Sequence, residues 1–154
     1  YIGDPAAIHP ILDIINTQPE DANIRQATYE AMERLPSPKT AIGIVQGLQD
    51  PIEAVRMSAA KAIDTNLSKA LVAGLKNIVR ENSSDSQNAV AALIDSETTN
   101  IVKFLVQEES FLKLADSHLT TKADSGTRKA FLKQMNSIGQ KEFVQSIVQK
   151  TNDT

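Results

Sequence analysis

The sequence predicts an all-α protein, a solenoid of stacked helix pairs with about four repeats and a terminal helix. Three observations carry this. Alanine-rich helices with an arginine near their start recur at a nearly constant interval. Aliphatic helices of a second kind alternate with them. No alternating strand pattern bounded by hairpin turns competes.

The interval comes from direct superposition. "ANIRQATYEAMERL" (22–35) lies over "EAVRMSAAKAIDTN" (53–66) with Arg25 and Arg56 31 residues apart. Ile24 then matches Val55, Ala31 matches Ala62 and Met32 matches Ile63. "SDSQNAVAALIDSE" (84–97) follows after a further 30 residues, with Ser86 in the arginine position, Ala89 on Ala59 and Leu93 on Ile63. The other kind of helix comes first in each unit: "DPAAIHPILDIIN" (4–16), "SPKTAIGIVQGLQ" (37–49) and "LSKALVAGLKNIV" (67–79). In the first, Ile8, Ile11, Leu12 and Ile15 follow i, i+3, i+4, i+7 spacing, an apolar stripe down one helix face.

The punctuation agrees. Asp4-Pro5 and Asp50-Pro51 read as N-cap and first helical residue, and Asp50 with Glu53 has capping-box spacing. Pro36-Ser37-Pro38 ends one helix and begins another, and "NSSDS" (82–86) offers several caps. The small Ala59, Ala60 and Ala62 allow close helix approach, and a unit that cannot cover its own stripe is covered by the next. The stem of Arg56 can lie along apolar surface while its guanidinium reaches Asp50 or Asp21.

After residue 95 the interval stretches. "TTNIVKFLVQ" (98–107) is a further first-kind helix, and 108–126 reads as a short extra helix holding Phe111, Leu112, Leu114 and Leu119. "TRKAFLKQMNSIG" (127–139) restores the arginine-bearing pattern at Arg128, and "IGQKEFVQSIVQK" (138–150) closes the chain with a final helix. Residues 1–95 thus form three repeats, and 96–154 an enlarged fourth with the terminal helix in the same domain.

Gly3-Asp4-Pro5, Ile24-Arg25 and Asp50-Pro51 with Val55-Arg56 together resemble the short bacterial HEAT-like repeats of the phycobilisome-lyase type. The resemblance covers roughly residues 1–95 and implies a right-handed superhelix of HEAT-like pairs. It implies for the arginines an internal ion-pair ladder between repeats. It also implies a regulatory scaffold, such as an accessory part of a bacterial signalling protein, with a bilin lyase-related subunit as the alternative. Tyr1-Ile2-Gly3 reads as a junction after an earlier repeat, so the chain is expected to be a fragment of a longer protein.

Composition narrows the function. Of 154 residues 41% are hydrophobic and 23% charged, aromatics are only 4%, and there is no Trp. The net charge of −3 lacks the basic footprint of a nucleic-acid binder. No Cys is present, so disulfides and thiolate metal sites are excluded. That composition favours a cytoplasmic setting, and no apolar run approaches the roughly 18–20 residues of a membrane span.

No catalytic, cofactor-binding or metal-ligating set emerges, so no cofactor and no enzyme activity are expected. His9 and His118 lie in different units, "ADSGT" (123–127) lacks a nucleophile elbow, and Glu20-Asp21 and Glu108-Glu109 read as exposed charge. The expected partner is another protein, or another domain of the same chain. It would dock on the exposed strip of the second helices: Gln26, Met57 and Gln87 in one row, Glu30 and Lys61 in the next, Glu33 and Asp64 in a third, with Tyr29 at the edge.

Overall fold

The computed structural model describes residues 5–17, 19–35, 39–65 and 69–152, and every regular element among them is helical. A 3-10 turn, Pro5–Ala7, leads into ten α-helices. These are α1 (Ile8–Thr17), α2 (Ala22–Met32), α3 (Thr40–Gly47), α4 (Glu53–Thr65) and α5 (Lys69–Arg80). They continue with α6 (Ser84–Asp95), α7 (Thr99–Leu105), α8 (Glu109–Thr121), α9 (Ser125–Ser137) and α10 (Lys141–Thr151). The all-α prediction therefore holds. None of the described helices is long and apolar enough to cross a membrane.

Helical periodicity places the core. In α5, Leu71, Leu75 and Val79 recur every four residues and are all buried. In α4, Val55, Ala59, Ala62 and Ile63 are fully buried, the last three forming an i, i+3, i+4 set. One continuous apolar cluster runs from Ile15 on α1 to Ile147 on α10. Segment 108–126 is more than a short extra helix. Its α8 has thirteen residues and packs on α5, α6 and α10, and it buries Phe111, Leu114, Ala115 and Leu119. Burying Phe111 alone removes an aromatic side chain from water, worth about 1.5–3 kcal/mol.

The helix ends follow capping chemistry. Asp21 accepts from Asn23 N–H at 2.8 Å to cap α2, and Asp124 accepts from Thr127 N–H at 2.8 Å to cap α9. Ser83 and Ser86 form a reciprocal capping box on α6. Gly139 ends α9 at φ +87°, where a side chain would be strained, and Gln140 N–H reaches back to Met135 O at 2.9 Å. Asp50 departs from expectation. Its carboxylate accepts from Ile52 N–H at 2.9 Å and otherwise serves Arg25, so no Asp50–Glu53 capping box forms and α4 begins at Glu53. The expected Asp4 cap, Gly3 and the Pro36-Ser37-Pro38 break lie outside the described residues.

The first two units pack side by side: α1 against α3, and α2 closely against α4, with α3 touching both second helices. From there the arrangement changes. The described α6 packs on α3, α5, α8 and α9, and α4 packs more on the short α7 than on α6. Gln49 Nε2 donates to Asn88 O at 3.3 Å, tying the start of α6 to the end of α3. Met57 faces the end of α6, at Asp95 and Ser96.

Candidate functional site

Arg25, Arg56 and Arg128 perform the same task on their helices, and Ser86 performs it on α6. Arg25 Nη1 donates to Pro19 O at 2.6 Å and Glu20 O at 2.9 Å. Arg56 Nη1 donates to Asp50 O at 2.7 Å and Pro51 O at 3.0 Å, again six and five residues back. Arg128 bonds Leu119 O through Nε at 2.8 Å and Ala123 O through Nη2 at 3.0 Å. Ser86, in the third unit, donates its hydroxyl to Ile78 O at 2.5 Å. Each side chain ties the first turn of a second helix to carbonyls at the end of the preceding segment, which that segment's own backbone leaves unpaired.

Arg25 also joins two units. Its Nε and Nη2 meet the two Asp50 carboxylate oxygens at 2.7 and 3.1 Å, a fork-to-fork pair. Burial alone would push the Asp50 carboxyl up. The Arg25 bonds and the Ile52 N–H outweigh it and hold the group below its usual value. Arg56 does not repeat this fork: its Nη1 bonds the Asp50 and Pro51 carbonyl oxygens, while the Asp50 carboxylate is held by Arg25. A second fork appears where the sequence reading expected exposed charge. Arg80 grips Glu108 at 2.8 and 2.7 Å, with Lys76 at 3.6 Å, fastening α5 to the start of α8.

Of the residues expected on the partner strip, Tyr29 is misplaced. It is 2% exposed, and its ring fills the seam between α2, α3 and α4. The closeness is measurable at Gly47, where an added Cβ would stand 2.5 Å from Tyr29 Cζ and 2.8 Å from Ala59 Cβ. Burial pushes the Tyr29 hydroxyl up to about 12. Gln26 is half-buried and donates to exposed Glu30 at 3.0 Å, while Glu33 and Lys61 lie 3.9 Å apart across α2 and α4. Asp64 accepts from Asn100 N–H at 3.2 Å and so supports the start of α7. Gln87 is exposed.

Met57 is 64% exposed, the most exposed of the large apolar side chains among the described residues. It stands on the lip of an open groove between α4 and α6. Two adjoining cavities of about 250 and 330 Å³ make up this groove and share Leu48, Arg56 and Asp95. Ala60 lies in the first, Ala91 and Ala92 in the second. The floor is therefore small and apolar, and the walls are polar.

Behind the groove lies a pair that sequence reading missed. His118 Nε2 and Asp95 Oδ1 are 2.8 Å apart, across α8 and α6, and the His118 side chain is 10% exposed. The other ring nitrogen, Nδ1, is buried and has no hydrogen-bond partner among the described residues. Nothing in the spacing of two residues 23 positions apart signals this contact; only the packing of α8 on α6 creates it. Among the described residues no three His, Cys, Asp or Glu side chains converge as a metal site. Comparison with protein-family models, with curated proteins and with solved structures finds no match.

Proposed function

We propose that this chain is a non-enzymatic protein-interaction module, an α-solenoid of short HEAT-like repeats that positions another protein or another domain of its own chain. The setting that fits best is a cytoplasmic bacterial scaffold or signalling accessory. The observation that carries the reading is the contrast along α4. One flank is sealed against α2 around Tyr29, and the other opens as a groove with Met57 exposed on its lip. A rigid sealed stack beside an open, partly apolar trough suits presentation of a fixed surface, and apolar contact with Met is common at such surfaces.

The recurrent tether at Arg25, Arg56, Ser86 and Arg128 supports the repeat part of this reading, since one mechanical solution returns in each unit. The decisive experiment places a photo-crosslinking amino acid at Met57 or Lys61 in living cells, with Asp13 on α1 as control. A discrete adduct at the first two positions and none at the third supports the reading. Equal labelling at all three positions, or none anywhere, refutes it.

A further inference from the structure

The two flanks of α4 differ at one aligned position. Tyr29 follows Arg25 by four residues as Ala60 follows Arg56, so Ala60 stands where the first seam has its ring. At the first seam that ring is packed so tightly that Gly47 has no room for a methyl group. At the second, Ala60, Ala91 and Ala92 leave the groove unfilled. Its two parts, at about 250 and 330 Å³, each hold several times the roughly 30 Å³ of one water. That space accepts a large planar side chain.

The rim adds a sign. Glu53 and Asp95 line the groove, and Glu81 and Asp85 line an adjoining cavity of about 200 Å³ between α3 and α6. All four are exposed. Arg56 lines both parts of the groove and keeps its positive charge, with Nη1 on the Asp50 and Pro51 carbonyl oxygens, so among the lining residues four carboxylates face one cation. A partner carrying positive charge beside its apolar anchor gains from this surplus, and one carrying negative charge is repelled.

We propose that the α4/α6 groove binds a partner protein segment in which an aromatic side chain is flanked by lysine or arginine, the aromatic ring taking the place that Tyr29 occupies at the first seam. This rests on the interaction-module reading and specifies the chemistry of the partner. Met57, unbranched and exposed, forms an adaptable lip over the ring.

The test uses the full chain, isotope-labelled, and three capped pentapeptides: tryptophan flanked by lysines, tryptophan flanked by glutamates, and alanine flanked by lysines. The protein has no Trp, so indole fluorescence reports the peptide alone. The lysine-flanked tryptophan peptide is expected to give a blue-shifted, saturable signal. It should move the amide resonances of Met57, Ala60, Ala91 and Ala92, and bind about tenfold or more tighter than either control. Ala60→Tyr should abolish that binding by filling the groove. Should that variant fold poorly, Glu53→Gln with Glu81→Gln should weaken the same peptide several-fold and flatten its salt dependence. Equal binding of the glutamate-flanked peptide, shifts that map away from α4 and α6, or no saturation at millimolar peptide overturns the proposal. A Met57 crosslink that survives such a result keeps the module reading and rejects only the aromatic-cationic anchor.

Discussion

The two flanks of helix α4 are built from aligned sequence and end up opposite in character. Toward α2 the seam is closed: Tyr29 is buried against Gly47 and Ala59, and Arg25 clamps Asp50 across the units. Toward α6 the seam is open: Ala60 replaces the ring, Arg56 turns inward to carbonyls, and Met57 stands in solvent. The difference teaches that a helix's backbone tether and its seam filling are separable. The tether returns at Arg25, Arg56, Ser86 and Arg128, whereas the closed seam holds one large side chain and one carboxylate.

The comparison can be broken most strongly at the ring. Tyr29→Ala should destabilise the fold by about 3–5 kcal/mol, because it empties a sealed site that cannot collapse while α3 stays in place. Equilibrium urea unfolding measures this, and a loss near zero would mean the seam is not closed in solution. Gly47→Ala attacks the same seam by overfilling it, with an expected cost of about 1–3 kcal/mol. That cost should shrink when Tyr29 is replaced by Leu in the same chain.

The ionisable groups of the closed seam predict its pH limits. Asp50 is held below its ordinary value, so the folded state favours its charged form. Its contribution is present above the unfolded carboxylate value of about 3.9 and is lost as pH falls through the lower folded value. Tyr29 has the opposite sign. Its neutral form is favoured, so that contribution is present below the unfolded tyrosine value of about 10 and disappears as pH rises through about 12. Melting curves across acid and alkaline series should therefore fall at both ends, and Asp50→Asn should flatten the acid limb while lowering the melting temperature by several degrees at neutral pH.

Smaller effects sharpen the comparison. Ser86→Ala removes the hydroxyl that bonds Ile78 O and completes the α6 capping box, and should cost about 1–2 kcal/mol. Met57→Ala, on the open flank, should change stability by less than about 0.5 kcal/mol. A large loss there would mean that Met57 is packed and that the groove is not open.

Much of this was legible in the residues. The recurrence of Arg25, Arg56, Ser86 and Arg128 marked positions that turned out to share one hydrogen-bonding task, because a tether to the preceding turn is local and needs only the right spacing. The exposure of Met57 followed from its place opposite Val55 and Ala59 on the helix wheel. Tyr29 could not be placed the same way. An aromatic at the edge of a stripe is buried or exposed according to the neighbouring helix, and here Gly47 lets α3 come close enough to cover it. Arg80 with Glu108 and His118 with Asp95 stand 28 and 23 residues apart on different helices, beyond any local pattern.

The sequence alone determined the all-helical character and marked the positions of Arg25, Arg56, Ser86 and Arg128, since periodicity and capping act within a turn or two of chain. The tertiary structure alone decided that α6 packs on α3, α5, α8 and α9 more than on α4, leaving a groove on one flank of α4 and a closed seam on the other. The physical reason is that helix-on-helix register is chosen by the summed volume and hydrogen bonding of a whole seam, which no local stretch of sequence displays.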